Sequence, residues 1–235
     1  MEKPPGSSAA ETRRMLDSAT RNDVPHAVAW NRRTMPLLEK MQSLLRVSAK
    51  EIPPQSVHYE MSRVNRTGSG FENTAVHGID AVRFLTGSDY RELSFDYQEI
   101  PGTGKQAMDL YISGRMDTGT RVSLHFHPVS GMVRESLTLT FKDHVYQMDL
   151  PVWDRPSTVG GIAHFHGNKR IQSITQKELG KDMTKAEKFG FYKENKMFFD
   201  AVRQGVTPEN DLSSSMQVME ILDCMKNKSA RYKKR

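Results

Sequence analysis

Apolar positions recur at two different periods along this chain, and the switches between them mark four zones. Residues 1–47 alternate helix and strand signals. Ser8 followed by Glu11 has the spacing of a capping box, and a helical stretch continues to about residue 20 with Met15, Leu16 and Ala19 on one side. Asn22-Asp23 reads as its stop. Residues 26–30 read as a short apolar strand ending in Asn31-Arg32-Arg33, and residues 36–47 as a second helix carrying Leu37, Met41, Leu44 and Leu45 on one face. Helix, buried strand, helix is an α/β pattern, but one strand cannot form a sheet. The zone therefore reads as the tail of a larger α/β unit, and its neighbourless strand is expected to expose apolar surface and favour association.

After Pro53-Pro54, residues 57–65 read as a strand and residues 66–70 as a Gly-rich turn. Residues 72–86 read as a helix with Ala75, Ile79, Val82 and Thr86 on one face and Gly87 at the C-cap position. Residues 90–176 switch to period two. Met108, Leu110 and Ile112 alternate with polar neighbours, as do Val122, Leu124 and Phe126. Val133, Leu137, Leu139 and Phe141 do the same, with Glu135 the exception, and His144, Tyr146, Met148 and Leu150 follow. Asp117-Thr118-Gly119 and Ser130-Gly131 read as hairpin turns. The result is an antiparallel sheet with one face on helices and the other rich in Ser, Thr, His and Arg. The last zone is two helices. Thr184 with Glu187 repeats the capping-box spacing, Phe189, Tyr192, Phe199 and Val202 supply bulk, and Gly205 ends the first helix. Leu212, Met216, Met219 and residues 221–225 form the second apolar face; methionines at this spacing are core.

Composition narrows the class. The chain has 235 residues, 37% hydrophobic and 26% charged, room for one large domain or two small ones. No apolar run reaches the ~18–20 residues of a bilayer span, the first residues hold no apolar signal region, and the single Cys224 fits a reducing compartment. A cytoplasmic protein without membrane contact is expected. The net charge of +6 suggests nucleic acid until its distribution is read. Six of the 34 Lys and Arg fall in residues 226–235 with no acid among them, leaving 28 basic against 28 acidic residues elsewhere. That segment reads as a solvated, disordered tail, and no nucleic-acid partner is expected.

Most chemical motifs dissolve on inspection. Gly102-Thr103-Gly104-Lys105 lacks both the spacing and the following helix of a P-loop and reads as a hairpin loop. The pairs His125/His127 and His164/His166 could bind zinc only by converging, and no metal is assigned. No Gly-x-Ser-x-Gly elbow occurs, and Cys224 suits a buried inert thiol. The informative cluster is Asn73, His77 and Asp80, which share a helix face by their spacing. An imidazole there could take a hydroxyl proton near neutral pH; the plainer reading is the polar face of an amphipathic helix.

At this point several stretches line up with a known family. Glu2-Lys3-Pro4 followed by a helix, Val28-Ala29-Trp30-Asn31-Arg32-Arg33, and Gly70 with Val76-His77-Gly78-Ile79-Asp80 resemble, in order, motifs of the glucose-fructose oxidoreductase, inositol dehydrogenase and rhizopine-catabolism family of NAD(P)-dependent oxidoreductases. Phe198-Phe199-Asp200-Ala201-Val202 and the helix of residues 216–225 are similar to the family's C-terminal end. The resemblance implies an α+β fold with an open, mostly antiparallel sheet packed with helices, preceded by the last helix-strand-helix elements of a Rossmann-like domain. Residues 1–50 would be that residual NAD(P)-binding end, 51–225 the substrate and oligomerisation domain, and 226–235 the tail. It further implies NAD or NADP as cofactor, a sugar, cyclitol or similar polyol as substrate, and a homo-oligomer formed through the sheet face. Lys3, its bond to Pro4 often cis in the family, would sit near the nicotinamide with Pro4 beside it. His77 would be the general acid/base, and Arg32 and Asp80 substrate contacts. Asn73 stands where many members carry Asp, so the imidazole would be a weaker base. A different class remains open: a non-catalytic orphan domain serving binding or assembly, since the dinucleotide fingerprint is absent from these residues.

Overall fold

The computed structural model describes residues 1–48, 52–103, 106–153 and 159–234. Its first helix, α1 (Ala9–Arg21), begins where the Ser8 hydroxyl accepts from Glu11 N at 3.2 Å. The Glu11 carboxylate reaches one residue further back than a capping box requires, to Ser7 N at 2.5 Å and Ser7 Oγ at 2.6 Å. Residues 26–30 form no strand and join no sheet, which corrects the strand expected there. They are not without neighbours either: Val28 N donates to Asn210 O at 2.7 Å, Ala29 N to Met1 O at 2.9 Å, and Trp30 Nε1 to Ser215 Oγ at 2.9 Å. Two distant carbonyls and a hydroxyl do the work of a sheet partner, and Val28 and Trp30 are fully buried. A 3₁₀ turn (Asn31–Thr34) leads into α2 (Pro36–Ser48), where proline at the first helical position sacrifices no hydrogen bond.

β1 (Ser56–Ser62) stops short of the expected residue 65, and α3 (Glu72–Thr86) follows with Gly87 closing it in the left-handed region at φ 60°. Then come β2 (Tyr90–Glu99), β3 (Met108–Met116), β4 (Arg121–His127), β5 (Arg134–Thr140), β6 (His144–Asp149), β7 (Gly161–His166) and β8 (Lys169–Thr175). Two one-turn helices, α4 (Gln176–Leu179) and α5 (Lys185–Lys188), both carry capping boxes. α6 (Phe191–Gln204), α7 (Leu212–Lys226) and β9 (Arg231–Lys233) complete the chain. Gly104 and Lys105 of the supposed P-loop fragment lie outside the described residues; the rest of it sits between β2 and β3.

Among the described residues the strands form one sheet in the order β8-β7-β6-β5-β1-β4-β3-β2-β9. β1 lies at its centre, antiparallel to β5 and parallel to β4. Asp117-Thr118-Gly119 is the β3–β4 hairpin turn. Ser130-Gly131 is not a hairpin turn, because the segment holding it carries the chain past β1 from β4 to β5. On one face Val57, Tyr59, Met61, Ile112, Leu124, Phe126, Leu137 and Leu139 are buried, in the same core as α2, α3, α7 and the buried Val28 and Trp30. The other face presents His58, Glu60, Tyr111, Ser123, His125, His127 and Thr138, all partly exposed. This is the open, mostly antiparallel α+β arrangement that the resemblance implied, and the alternation had pointed to its antiparallel sheet backed by helices.

The tail needs correcting. β9 pairs antiparallel with β2, and Tyr232 is buried with its hydroxyl donating to Glu220 Oε2 at 2.9 Å. Lys234 Nζ bridges Asp89 at 2.8 Å and Asp117 at 2.5 Å. One inward tyrosine flanked by outward cations is enough to cover a sheet edge. The bulk on α6 also differs from a core helix: Tyr192, Phe199 and Val202 are exposed. Cys224 is half-buried, its thiol pushed up by burial. Among the described residues no helix is long and apolar enough to cross a membrane.

Candidate active site

The first residues run beside residues 27–29, Met1 N donating to Ala27 O at 2.8 Å, and the Lys3–Pro4 bond is cis. This course brings Lys3 to α3, where Nζ donates to the carbonyl of Asn73 at 2.9 Å. Asn73 thus contributes its backbone oxygen to the site. One turn on, His77 is 8% exposed, edge-on to Trp30 at 6.3 Å, and its Nδ1 is sealed from solvent with no hydrogen-bond partner among the described residues.

Behind these two residues lies a buried ion cluster that the sequence marked only as a break in alternation. Glu135, inward on β5 and 1% exposed, accepts from Arg32 Nε at 2.5 Å and Nη2 at 2.7 Å, from Arg63 Nη2 at 2.7 Å and from the Tyr59 hydroxyl at 2.7 Å. Burial alone would raise its carboxyl; Arg32, Arg63 and Tyr59 hold it down at about 2. Burial keeps His77 well below the ordinary imidazole range, reinforced by Arg32, Lys3 and Arg63, so its ring is neutral at pH 7. Burial, and after it the Arg32 charge, lowers the Lys3 amine to about 8. Glu194 on α6 is buried near Glu2, and burial with that neighbour holds it up to about 7.

Lys3, Arg32, Arg63 and His77 open onto one cavity of about 400 Å³ whose far wall is Trp153, Phe189 and Phe191. That wall is pinned to the 3₁₀ turn: Asn31 Nδ2 donates to Phe189 O at 2.8 Å, and Thr34 Oγ1 to Gly190 O at 2.9 Å. Gly190 has φ 81°, and a Cβ there would stand 2.2 Å from Asn31 O, so only glycine permits the approach. A hollow of about 670 Å³ beside Arg33 and Arg83 offers less chemistry, because those cations already pair with Asp80 and Asp89.

The sequence-derived candidates separate in space. Lys3, Arg32 and His77 converge, and Pro4 follows directly on the cavity-lining Lys3. Asp80 does not line the cavity. Its carboxylate, 1% exposed, accepts from Arg33 Nε at 2.9 Å and Nη2 at 2.5 Å. Helical spacing put it on His77's side, but Arg33 takes both of its oxygens. Arg63, Trp153 and the Glu135 anchor were missed; only Glu135 left a signal. The two His-x-His pairs do not converge. His125 and His127 lie on the open face, whereas His164 pairs across from buried Tyr146 on the opposite face.

Helix α3 lies so close to β1 that a Cβ on Gly78 would stand 2.2 Å from Tyr59 Cε1. Alanine gains roughly 1 kcal/mol of helix propensity, less than the ~1–3 kcal/mol of overpacking together with a disturbed Tyr59–Glu135 bond. Gly78→Ala is expected to lower stability by about 2 kcal/mol in urea unfolding; unchanged or higher stability would count against this close approach.

No protein-family model matches the sequence, and no curated protein does. The fold, however, is similar to solved structures. The dehydrogenase MviM of Clostridium difficile superposes with TM-score 0.78 at 14% identity, over 97% of this chain and 70% of that one. The UDP-N-acetylglucosamine 3-dehydrogenase GnnA of Acidithiobacillus ferrooxidans gives 0.72 at 15%, over 94% and 67%. A levoglucosan dehydrogenase in complex with NADH gives 0.78 at 14%, over 99% and 72%. At such identities the likeness is one of fold: this chain has the architecture of the greater part of those dehydrogenases.

Proposed function

We propose that the chain is the substrate-binding part of an oxidoreductase of the glucose-fructose oxidoreductase, inositol dehydrogenase and rhizopine-catabolism type, acting on a sugar, cyclitol or related polyol. The observation that carries this is the meeting of Lys3 and His77 at an aromatic-walled cavity backed by Arg32. Aromatic faces suit the apolar faces of a polyol ring, and the polar groups suit its hydroxyls.

NAD or NADP would be the hydride partner. The described residues do not fit a dinucleotide by themselves. The Gly-rich turn before α3 is no phosphate cradle, because Asn73 N is spent on Gly70 O, and Thr74 N and Ala75 N on Phe71 O. When bound, the dinucleotide would supply the hydride acceptor. What this chain supplies is proton handling. An amine near 8 matches its task better than an imidazole driven far below neutrality, so Lys3 Nζ takes the hydroxyl proton. His77 hydrogen-bonds the same hydroxyl as a neutral ring, and the positive field of Arg32 favours the oxygen as charge develops.

Because the Lys3 pKa is lowered, its neutral form prevails above about pH 8. Polyol oxidation by the protein as the cell makes it is expected to rise through that pH and level off. Lys3→Arg, which stays protonated, should abolish the rise; an unchanged profile would remove Lys3 from the role. The missing phosphate cradle favours a second reading, a binding domain without catalysis, which predicts polyol binding with no turnover under any cofactor. The helix-free sheet face is proposed as the contact between copies; a species that sediments as a monomer at every concentration would contradict that.

A further inference from the structure

The charges around the cavity do not balance. Arg32 and Arg63 share the carboxylate of Glu135, and among the described residues the ammonium of Lys3 has only a backbone carbonyl for a partner. Among the described residues this leaves two positive charges in excess in a buried cluster. The other carboxylate on the cavity is Glu2, exposed at the rim. Glu194, buried close to Glu2, holds its proton nearly to neutrality, and Arg66 adds a further cation near Lys3. Buried charge without a counter-ion is costly, and Lys3, with one of its three N–H donors on Asn73 O, and Arg32 both keep donors for an incoming anion. Arg32 spends Nε and Nη2 on Glu135, while Nη1 takes no part in those bonds, and the residue lines the cavity. Arg63 lines the cavity too but is committed through Nη1 to Ser62 O at 2.9 Å and Arg134 O at 3.1 Å and through Nη2 to Glu135, so it adds chiefly charge.

We propose that the polyol taken by this cavity carries a carboxylate: an acidic sugar or cyclitol whose anion seats against Arg32 Nη1, with the aromatic wall on its ring. This rests on the polyol reading above and narrows it. An anion there completes the arginine's bonds and offsets the excess charge, and charge-assisted pairs of this kind are about twice as strong as neutral ones.

Calorimetric titration of the full chain with D-glucuronate, D-glucose, myo-inositol, inorganic phosphate and NADH tests it. D-glucuronate is expected to bind about tenfold more tightly than either neutral polyol, with the preference shrinking as salt rises. Arg32→Gln should bring acid and neutral polyols to within about twofold, and Arg32→Lys should keep part of the gap. If Arg32→Gln does not fold, the comparison of ligands on the unaltered chain decides. Equal or tighter binding of the neutral polyols overturns this inference and leaves the polyol reading standing. Phosphate binding as tightly as glucuronate overturns it as polyol recognition. NADH competing with glucuronate at higher affinity assigns the charge to the dinucleotide and overturns it likewise. Binding of no polyol of either kind defeats both this inference and the reading it rests on.

Discussion

Glu135→Ala is expected to remove about 3–5 kcal/mol of unfolding free energy, a large share of the 5–15 kcal/mol typical of a domain. The carboxylate is 1% exposed and answers two guanidiniums and a phenol. Without it Arg32 and Arg63 keep their charge, because an arginine does not titrate away, and both are 13% or less exposed. Losing the carboxylate is therefore worse than losing one attraction: it strands two cations and leaves the Tyr59 hydroxyl without its acceptor. Glu135→Gln keeps the volume and one acceptor and should lose less. The pH dependence has a definite sign. The Glu135 carboxyl is lowered to about 2, so its contribution is complete above the ordinary glutamate value of about 4.3 and fades as pH falls towards 2. Urea unfolding at pH 7 and pH 3 should show the gap between wild type and Glu135→Gln narrowing with acid. A Glu135→Ala loss below about 1 kcal/mol would mean the cluster is looser than its geometry.

Lys3→Met should lower the rate of polyol oxidation by about 10²–10⁴, the range for a lost proton-transfer group. Nζ is held at 2.9 Å from Asn73 O and faces the cavity, so the change removes chemistry more than binding. The loss should appear in kcat, with KM moving less. His77→Gln keeps a neutral hydrogen-bonding group in the same place and should cost less than Lys3→Met. The reverse order would return the proton-transfer role to the imidazole. Both are read on the protein as the cell makes it, with NADH absorbance as the signal and circular dichroism to confirm the fold.

The sequence was most legible where one local rule acted alone. Helix α3 was bounded at residues 72–86 because its apolar spacing and Gly87 agree, and the alternating strands β3 to β6 declared themselves by period. What failed was set by distant partners. Residues 26–30 have a strand's composition, but their backbone bonds go to Met1 and Asn210, which no local window contains. The last ten residues show one aromatic side chain among six cations, and β9 forms because β2 offers an edge for Tyr232 to cover. Ser130-Gly131 looks like any hairpin turn, since nothing nearby reveals that β1 has come between β4 and β5. The site followed the same rule. Lys3, Arg32 and His77 stood out by motif, whereas Arg63 and Trp153 carried no mark. Asp80 looked like part of the site until Arg33 arrived from another element. Glu135 was visible as an error in a pattern, and an inward carboxylate on a strand demands buried cations.

The central claim is that the cavity between Lys3, His77 and Trp153 binds a polyol. It is tested most directly by assigned ¹H–¹⁵N spectra of the chain titrated with D-glucuronate, D-glucose and myo-inositol. The account predicts saturable shifts at Arg32, Thr74, His77 and the Trp153 indole, with His58 and His125 on the open sheet face unmoved. Shifts confined to that open face, or none with any polyol, would contradict it.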